Sequence, residues 1–233
     1  MARASRTIRP SFIQVLGELL ITIGIILMLY VVWQLFVNDP LVSSTQQKQA
    51  QQFVADKEPS SKKFIEIKPN LKQGAVFAKM HVPKFGNDYE RLIGQGTFQK
   101  ITLNVVGVGH YVSSDWPGEK GNFAVAAHRT SHGAPFADID RLKTGDKVWV
   151  ETNDSWFTYE YRQTKIVKPS EIGVIDDLPK GMKGAIIGGK YMTMTSCHPK
   201  WSNEQRIIVW LELVNSEPKG SGMPAELLEA KRR

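Results

Sequence analysis

Hydropathy divides the chain into three zones. From Leu19 to Val37 no residue is charged, and only Thr22 and Gln34 are clearly polar. These 19 residues at ~1.5 Å rise make roughly 28 Å of helix, close to the ~30 Å hydrocarbon core of a bilayer. The run predicts a membrane-spanning helix over residues 16–37, with Tyr30 and Trp33 toward its far end, where amphipathic rings favour the interface. A buried core helix of that length keeps a polar face, and this run has none. A cleaved signal peptide would carry an apolar stretch of only about 7–15 residues and then a small-residue cleavage site, which does not follow Val37. Arg3, Arg6 and Arg9 precede the span, whereas Lys48 is the only cation soon after it. The positive-inside rule therefore places residues 1–15 in the cytosol and everything after the anchor outside the cell membrane.

The second zone, residues 38–73, predicts an extracellular stalk or linker. Its stretch 43–63 is rich in Gln, Lys and Ser and nearly free of large apolar side chains, so it buries little. The third zone, residues 74–215, is full of strand signals. Val76–Val82 alternates in part, Ile101–Val108 is β-branched, and Phe123–Ala127 is a short apolar run. Val148 and Val150 alternate with polar neighbours, as do Phe157, Tyr159 and Tyr161 after the turn Asn153-Asp154-Ser155, a hairpin pattern. Tyr191–Ser196 and Ile207–Val214 complete the set. Many short strands with Gly and Pro between them predict an all-β barrel or sandwich. Residues 216–233 contain Pro218, Gly220, Gly222 and Pro224 and then a charged run, which predicts a flexible, solvated tail. The fragment 73–214 is accordingly expected to fold alone as a monomer.

Composition narrows the setting. Hydrophobic residues make up 42% and charged residues 23%, ordinary globular usage that excludes a collagen-like or wholly disordered chain. Thirty Lys and Arg against 23 Asp and Glu leave +7, which suits anionic wall polymers and lipids. Aromatic and basic residues do not interleave in the manner of a nucleic-acid surface, so no nucleic-acid partner is expected. The lone cysteine, Cys197, excludes an internal disulfide.

Cys197 ends the strand-like run Tyr191–Ser196 and is followed by His198-Pro199, where proline stops the ladder. A free cysteine is commonly a small buried hydrophobe. An oxidising exterior penalises idle thiols, however, which makes this one a candidate nucleophile. A thiolate nucleophile needs a proton partner and a group that stabilises the electrophile. His128 ends the apolar run Phe123–Ala127, and Arg206 opens the returning run Ile207–Trp210. Nucleophile, acid/base and cation thus all stand at strand ends. His128, His132, Cys197 and His198 also suggest a zinc set, but Gly133 and Pro135 crowd the segment and a strand precedes it, so no metal is expected. His81 and His110 read as structural. A non-catalytic wall-binding domain would equally explain an anchor and a positive charge.

Several stretches resemble the sortases, extracellular cysteine transpeptidases of Gram-positive bacteria. The TLxTC signature stands here as Thr193-Met194-Thr195-Ser196-Cys197, with Met for Leu and Ser for Thr. Gly109-His110-Tyr111, Trp116-Pro117-Gly118, His128–Phe136 and Leu142–Asp146 are similar to the class E branch. The resemblance covers roughly Ala75–Val214 and implies a closed barrel of about eight strands with its site on one rim. It implies Cys197 as nucleophile, His128 as general acid/base and Arg206 on the substrate carbonyl. Tyr111, Thr195, Ser196 and Arg129 fall to substrate binding, and His132 and His198 to auxiliary roles. The implied reaction cleaves an LPxTG- or LAxTG-type sorting signal of a surface protein between Thr and Gly, then passes the acyl group to an amine of a peptidoglycan precursor (lipid II). Tyr111 would narrow the pocket for the second signal residue. No cofactor is implied. A cysteine hydrolase that resolves the thioester with water would use the same residues.

Overall fold

The computed structural model describes residues 11–53 and 70–232. Arg3, Arg6 and Arg9, and the part of the expected stalk between 54 and 69, lie outside the described residues. The chain forms two units divided between Pro40 and Leu41.

Helix α1, Phe12–Trp33, starts on a capping box. The Gln14 amide N–H donates to Ser11 Oγ, and Gln14 Oε1 accepts from the Ser11 amide. Two otherwise unpaired donors of the first turn are thereby satisfied. No α1 side chain is buried in protein. Its helical residues continue in the chain through a π-turn at Gln34–Asn38 into helix α2, Asp39–Gln52. Among the described residues this is the one helix long and apolar enough to cross a membrane.

In the second unit eight strands among the described residues close into a barrel, as expected. They are β1 (Val76–His81), β2 (Glu90–Gln95), β3 (Gly107–His110), β4 (Gly121–Ala127), β5 (Lys147–Glu151), β6 (Ser155–Val167), β7 (Lys190–His198) and β8 (Gln205–Pro218). Their order around the barrel is β1-β2-β3-β4-β7-β8-β6-β5, with β2–β3 and β4–β7 parallel. Closure removes the unpaired edges that an open sheet would expose. Inward residues such as Phe123, Val125, Met192, Met194, Val209 and Leu211 form the main core. On the outer face Tyr191, Ile208 and Trp210 pack with Val174 under the connection between β6 and β7.

Three sequence expectations are corrected. Ile101–Leu103 is not strand but lies in a π-turn, Gln99–Leu103, and only Gly107–His110 joins the barrel. The stalk is not free over its first half. Ala50 of α2 is fully buried with Leu92 and Val106, and Gln47 Oε1 accepts from the Glu90 amide at 3.1 Å. The tail is not free either: although many of its residues are exposed, Ala225–Arg232 form helix α3, whose Leu227 is fully buried against Trp149 and Trp156. From the tail, Lys219 before α3 and Lys231 on it reach Glu151 and Glu90, next to Lys79 and His81. Burial alone would raise both carboxyls, but the hydrogen bonds and positive partners outweigh it and hold them below the usual range. A fragment ending at Val214 would cut β8 before its end and remove α3 with both lysines.

Candidate active site

Register decides which side chains meet. In the parallel pair β4–β7 the ladder runs to Ala126 opposite Thr195. One step further, Ser196 Oγ donates to the Ala127 carbonyl at 2.8 Å. His128 therefore leaves β4 beside Cys197. Across the antiparallel pair β7–β8, Cys197 stands directly opposite Arg206. Side chains alternate along a strand. Because Ala127, Met194 and Ile207 point into the core, His128, Cys197 and Arg206 share the outer face at neighbouring ends of three strands.

Cys197 is half-buried and carries a free thiol. Arg206 Nη1 donates to the carbonyls of Asn203 and Gln205 at 2.8 and 2.9 Å. The loop between β7 and β8 thus braces one end of the guanidinium. His128 Nε2 pairs with Asn104 Oδ1 at 2.7 Å, and its ring stacks on His132 with centroids 4.8 Å apart. Such a ring is held in orientation and tautomer by its neighbours, as proton-transfer imidazoles are.

The other sequence candidates divide. Tyr111 reaches over the same face, its hydroxyl 2.9 Å from Thr195 Oγ1. Thr195 and Ser196 are themselves buried, and the Ser196 hydroxyl ties β7 to β4. His132 stands at the site through its stack on His128. His198 follows Cys197 opposite Gln205, and its Nδ1 is buried with no hydrogen-bond partner. Arg129 is turned inward and only 4% exposed. Its guanidinium donates to the carbonyls of Ala137 and Cys197 and pairs with Asp140. That geometry ties the Cys197 backbone to the segment that follows His128. Asn104 was invisible in the sequence, being one polar residue within a β-branched run and 24 positions from His128.

A half-buried thiol, a held imidazole and a braced guanidinium on one face suit acyl transfer through a thioester. A family model for the sortase domain matches residues 80–214. Sortase SrtE1 of Streptomyces coelicolor is 34% identical over 221 residues, 91% of this chain but only 60% of that protein's length. Sortase SrtE2 of the same organism is 36% identical over 217 residues, covering 88% of this chain and 83% of the relative. The crystal structure of Sortase E1 from Streptomyces coelicolor with tripeptide in the active site matches 66% of this chain and 97% of its own, at 36% identity and a TM-score of 0.61. With its barrel and its strand-end cysteine, and with relatives of this closeness, the chain belongs to the sortase family and is similar to its class E members.

Proposed function

We propose that the chain is a membrane-anchored cysteine transpeptidase that joins sorting-signal proteins to a cell-wall amine. One observation carries the reading: strand register brings Cys197, His128 and Arg206 to one face at adjacent ends of β7, β4 and β8. The Cys197 thiolate attacks the Thr carbonyl carbon of an LPxTG- or LAxTG-type signal. As the carbonyl oxygen gains charge, the Arg206 guanidinium donates to it. The C–N bond to Gly then breaks, and His128 hands its proton to the departing amine. A thioester remains on Cys197. A peptidoglycan-precursor amine attacks it, His128 takes back a proton, and the sulfur leaves as thiolate while a new amide forms.

Tyr111, lying over Thr195 two residues before the nucleophile, walls the groove where the signal's second residue would sit. A peptide in the active site of the Streptomyces coelicolor relative supports a peptide substrate here. The apolar α1 and the arginines before it support a single-pass anchor with the barrel outside.

The test incubates the full chain with LPxTG and LAxTG peptides, with and without an amine acceptor, and reads products by mass. Cleavage at Thr with a new amide only when amine is present is the expected result, and Cys197→Ala should abolish it. Products ending in free Thr carboxylate even at saturating amine would instead mark a hydrolase. No cleavage of either peptide would remove the sorting-signal reading.

A further inference from the structure

Helix α2 buries one amide side chain against the loop that carries the imidazole. Gln46 is 2% exposed, and its Nε2 donates to the His132 carbonyl at 3.1 Å. Two glycines with positive φ make the socket. A Cβ on Gly133 would meet Gln46 Oε1 at 2.8 Å, and one on Gly107 would meet it at 3.0 Å. The segment His132-Gly133-Ala134 has φ values of 53°, 80° and 40°. Two non-glycine residues in the left-handed region persist only where surroundings enforce them. Two partners of the His128 ring, Asn104 and His132, lie on segments that meet Gln46. His132 is the residue whose carbonyl it binds, and Asn104 stands three residues before Gly107.

The amide is also poorly suited to a purely structural place. Its Oε1 is buried with no hydrogen-bond partner, which costs stability that an apolar side chain would not. The helix is held elsewhere, by Ala50 in its apolar cluster and by Arg91 Nη2 donating to Ser43 Oγ at 2.7 Å. A residue that breaks a packing rule while touching the catalytic loop points to function.

We infer that Gln46 is a positioning residue: through the His132 carbonyl and the start of β3 it holds His128 in the orientation that protonates the leaving amine. The inference rests on the proposed acid role of His128. Without Gln46 the peptide still binds the groove, but the imidazole is misplaced, and misplacement near 1 Å is worth up to ~10²-fold in rate.

The test measures kcat and KM for amine-dependent transfer by the full chain, with melting temperatures alongside. Gln46→Ala should lower kcat roughly 10- to 100-fold with KM changed less than about twofold. Gln46→Met keeps the bulk but lacks the donor. It should melt no lower than the native chain and still lose kcat, an outcome a packing role would not give. Gln49→Ala, on the exposed side of α2, should change nothing. Gln46→Ala combined with Asn104→Ala should lose less than the product of the single losses, because both act through the same ring. If His128→Ala keeps turnover, the acid assignment itself falls. If His128→Ala is inactive but Gln46→Ala and Gln46→Met keep kcat within about twofold, or lose only KM, the positioning role is rejected.

Discussion

Arg206 separates charge from geometry. Its Nη1 is already given to the Asn203 and Gln205 carbonyls, so a bound carbonyl would be met by the remaining donors of the planar fork. An ammonium has no such fork and cannot hold the loop and reach the oxygen from fixed, separate nitrogens. Arg206→Lys should therefore fail nearly as badly as Arg206→Ala. A directed donor to a developing oxyanion is worth ~10²–10³ in rate, about 2.7–4 kcal/mol, and the loss should fall mainly on kcat. A lysine variant within about threefold of the native chain would reject the directed donor. The three residues proposed for chemistry stood out in the sequence because each borders a strand-like run, Cys197 and His128 at its end and Arg206 at its start, a signal carried by neighbours in sequence. Asn104 and Gln46 did not, since what singles them out is contact across the barrel surface. The partners of Arg129, Asp140 and the Cys197 carbonyl, are likewise set by contacts that no sequence neighbour announces.

Among the elements, α3 shows how a short charged segment can still belong to the fold. Leu227 alone is fully buried on it, between Trp149 and Trp156. Leu-to-Ala changes in such places cost about 2–5 kcal/mol. A terminal helix can detach before the barrel opens, which keeps Leu227→Ala near the low end, about 2 kcal/mol. For a domain of this size that lowers Tm by roughly 4–8 °C, with Trp149 and Trp156 fluorescence moving to the red. An unchanged Tm and emission would show that α3 is not docked in solution. Strands with plain alternation, such as β5 and β6, were readable. β2 was not, because it opens on Glu90-Arg91 and every one of its residues is buried. α2 and α3 supply the polar partners that let charged side chains lie there: Gln47 Oε1 accepts from the Arg91 guanidinium, and Lys231 pairs with Glu90. Patterning alone cannot announce a strand whose outer face is covered by segments distant in sequence. Ile101–Leu103 failed in the opposite sense: β-branched residues favour strands only when a pleated neighbour is available, and here the run turns, with Thr102 buried and its hydroxyl donating to the Gln95 carbonyl at 3.2 Å.

At the scale of the whole molecule, buried ionisable groups tie the barrel's stability to pH. His110 is fully buried, with ring centroids 5.6 Å from Phe77, 4.7 Å from Trp116 and 5.2 Å from Phe123. Its Nδ1 pairs with Gln95 Oε1 at 2.7 Å. Burial disfavours the imidazolium and pushes its pKa down to about 4. The unfolded chain takes up that proton near pH 6.5 and the folded chain only near 4. Between those values the unfolded state holds more protons, so stability falls as pH falls. The full difference is on the order of 3 kcal/mol, at ~1.4 kcal/mol per pKa unit. Glu90 and Glu151 add to the loss at lower pH. Their folded carboxyls are held below the ordinary range, so their contribution is complete above the unfolded value of about 4.3 and declines as pH drops through it. Denaturant unfolding at a series of pH values from 8 to 4 reads both windows. The native chain should weaken steadily below pH 6.5 and more steeply near 4. His110→Gln, which keeps a polar partner for Gln95 but has no proton to take up, should start less stable at pH 8 and lose less between 6.5 and 4. Equal slopes for the two proteins across that interval would mean that His110 is solvated or already charged in the folded barrel.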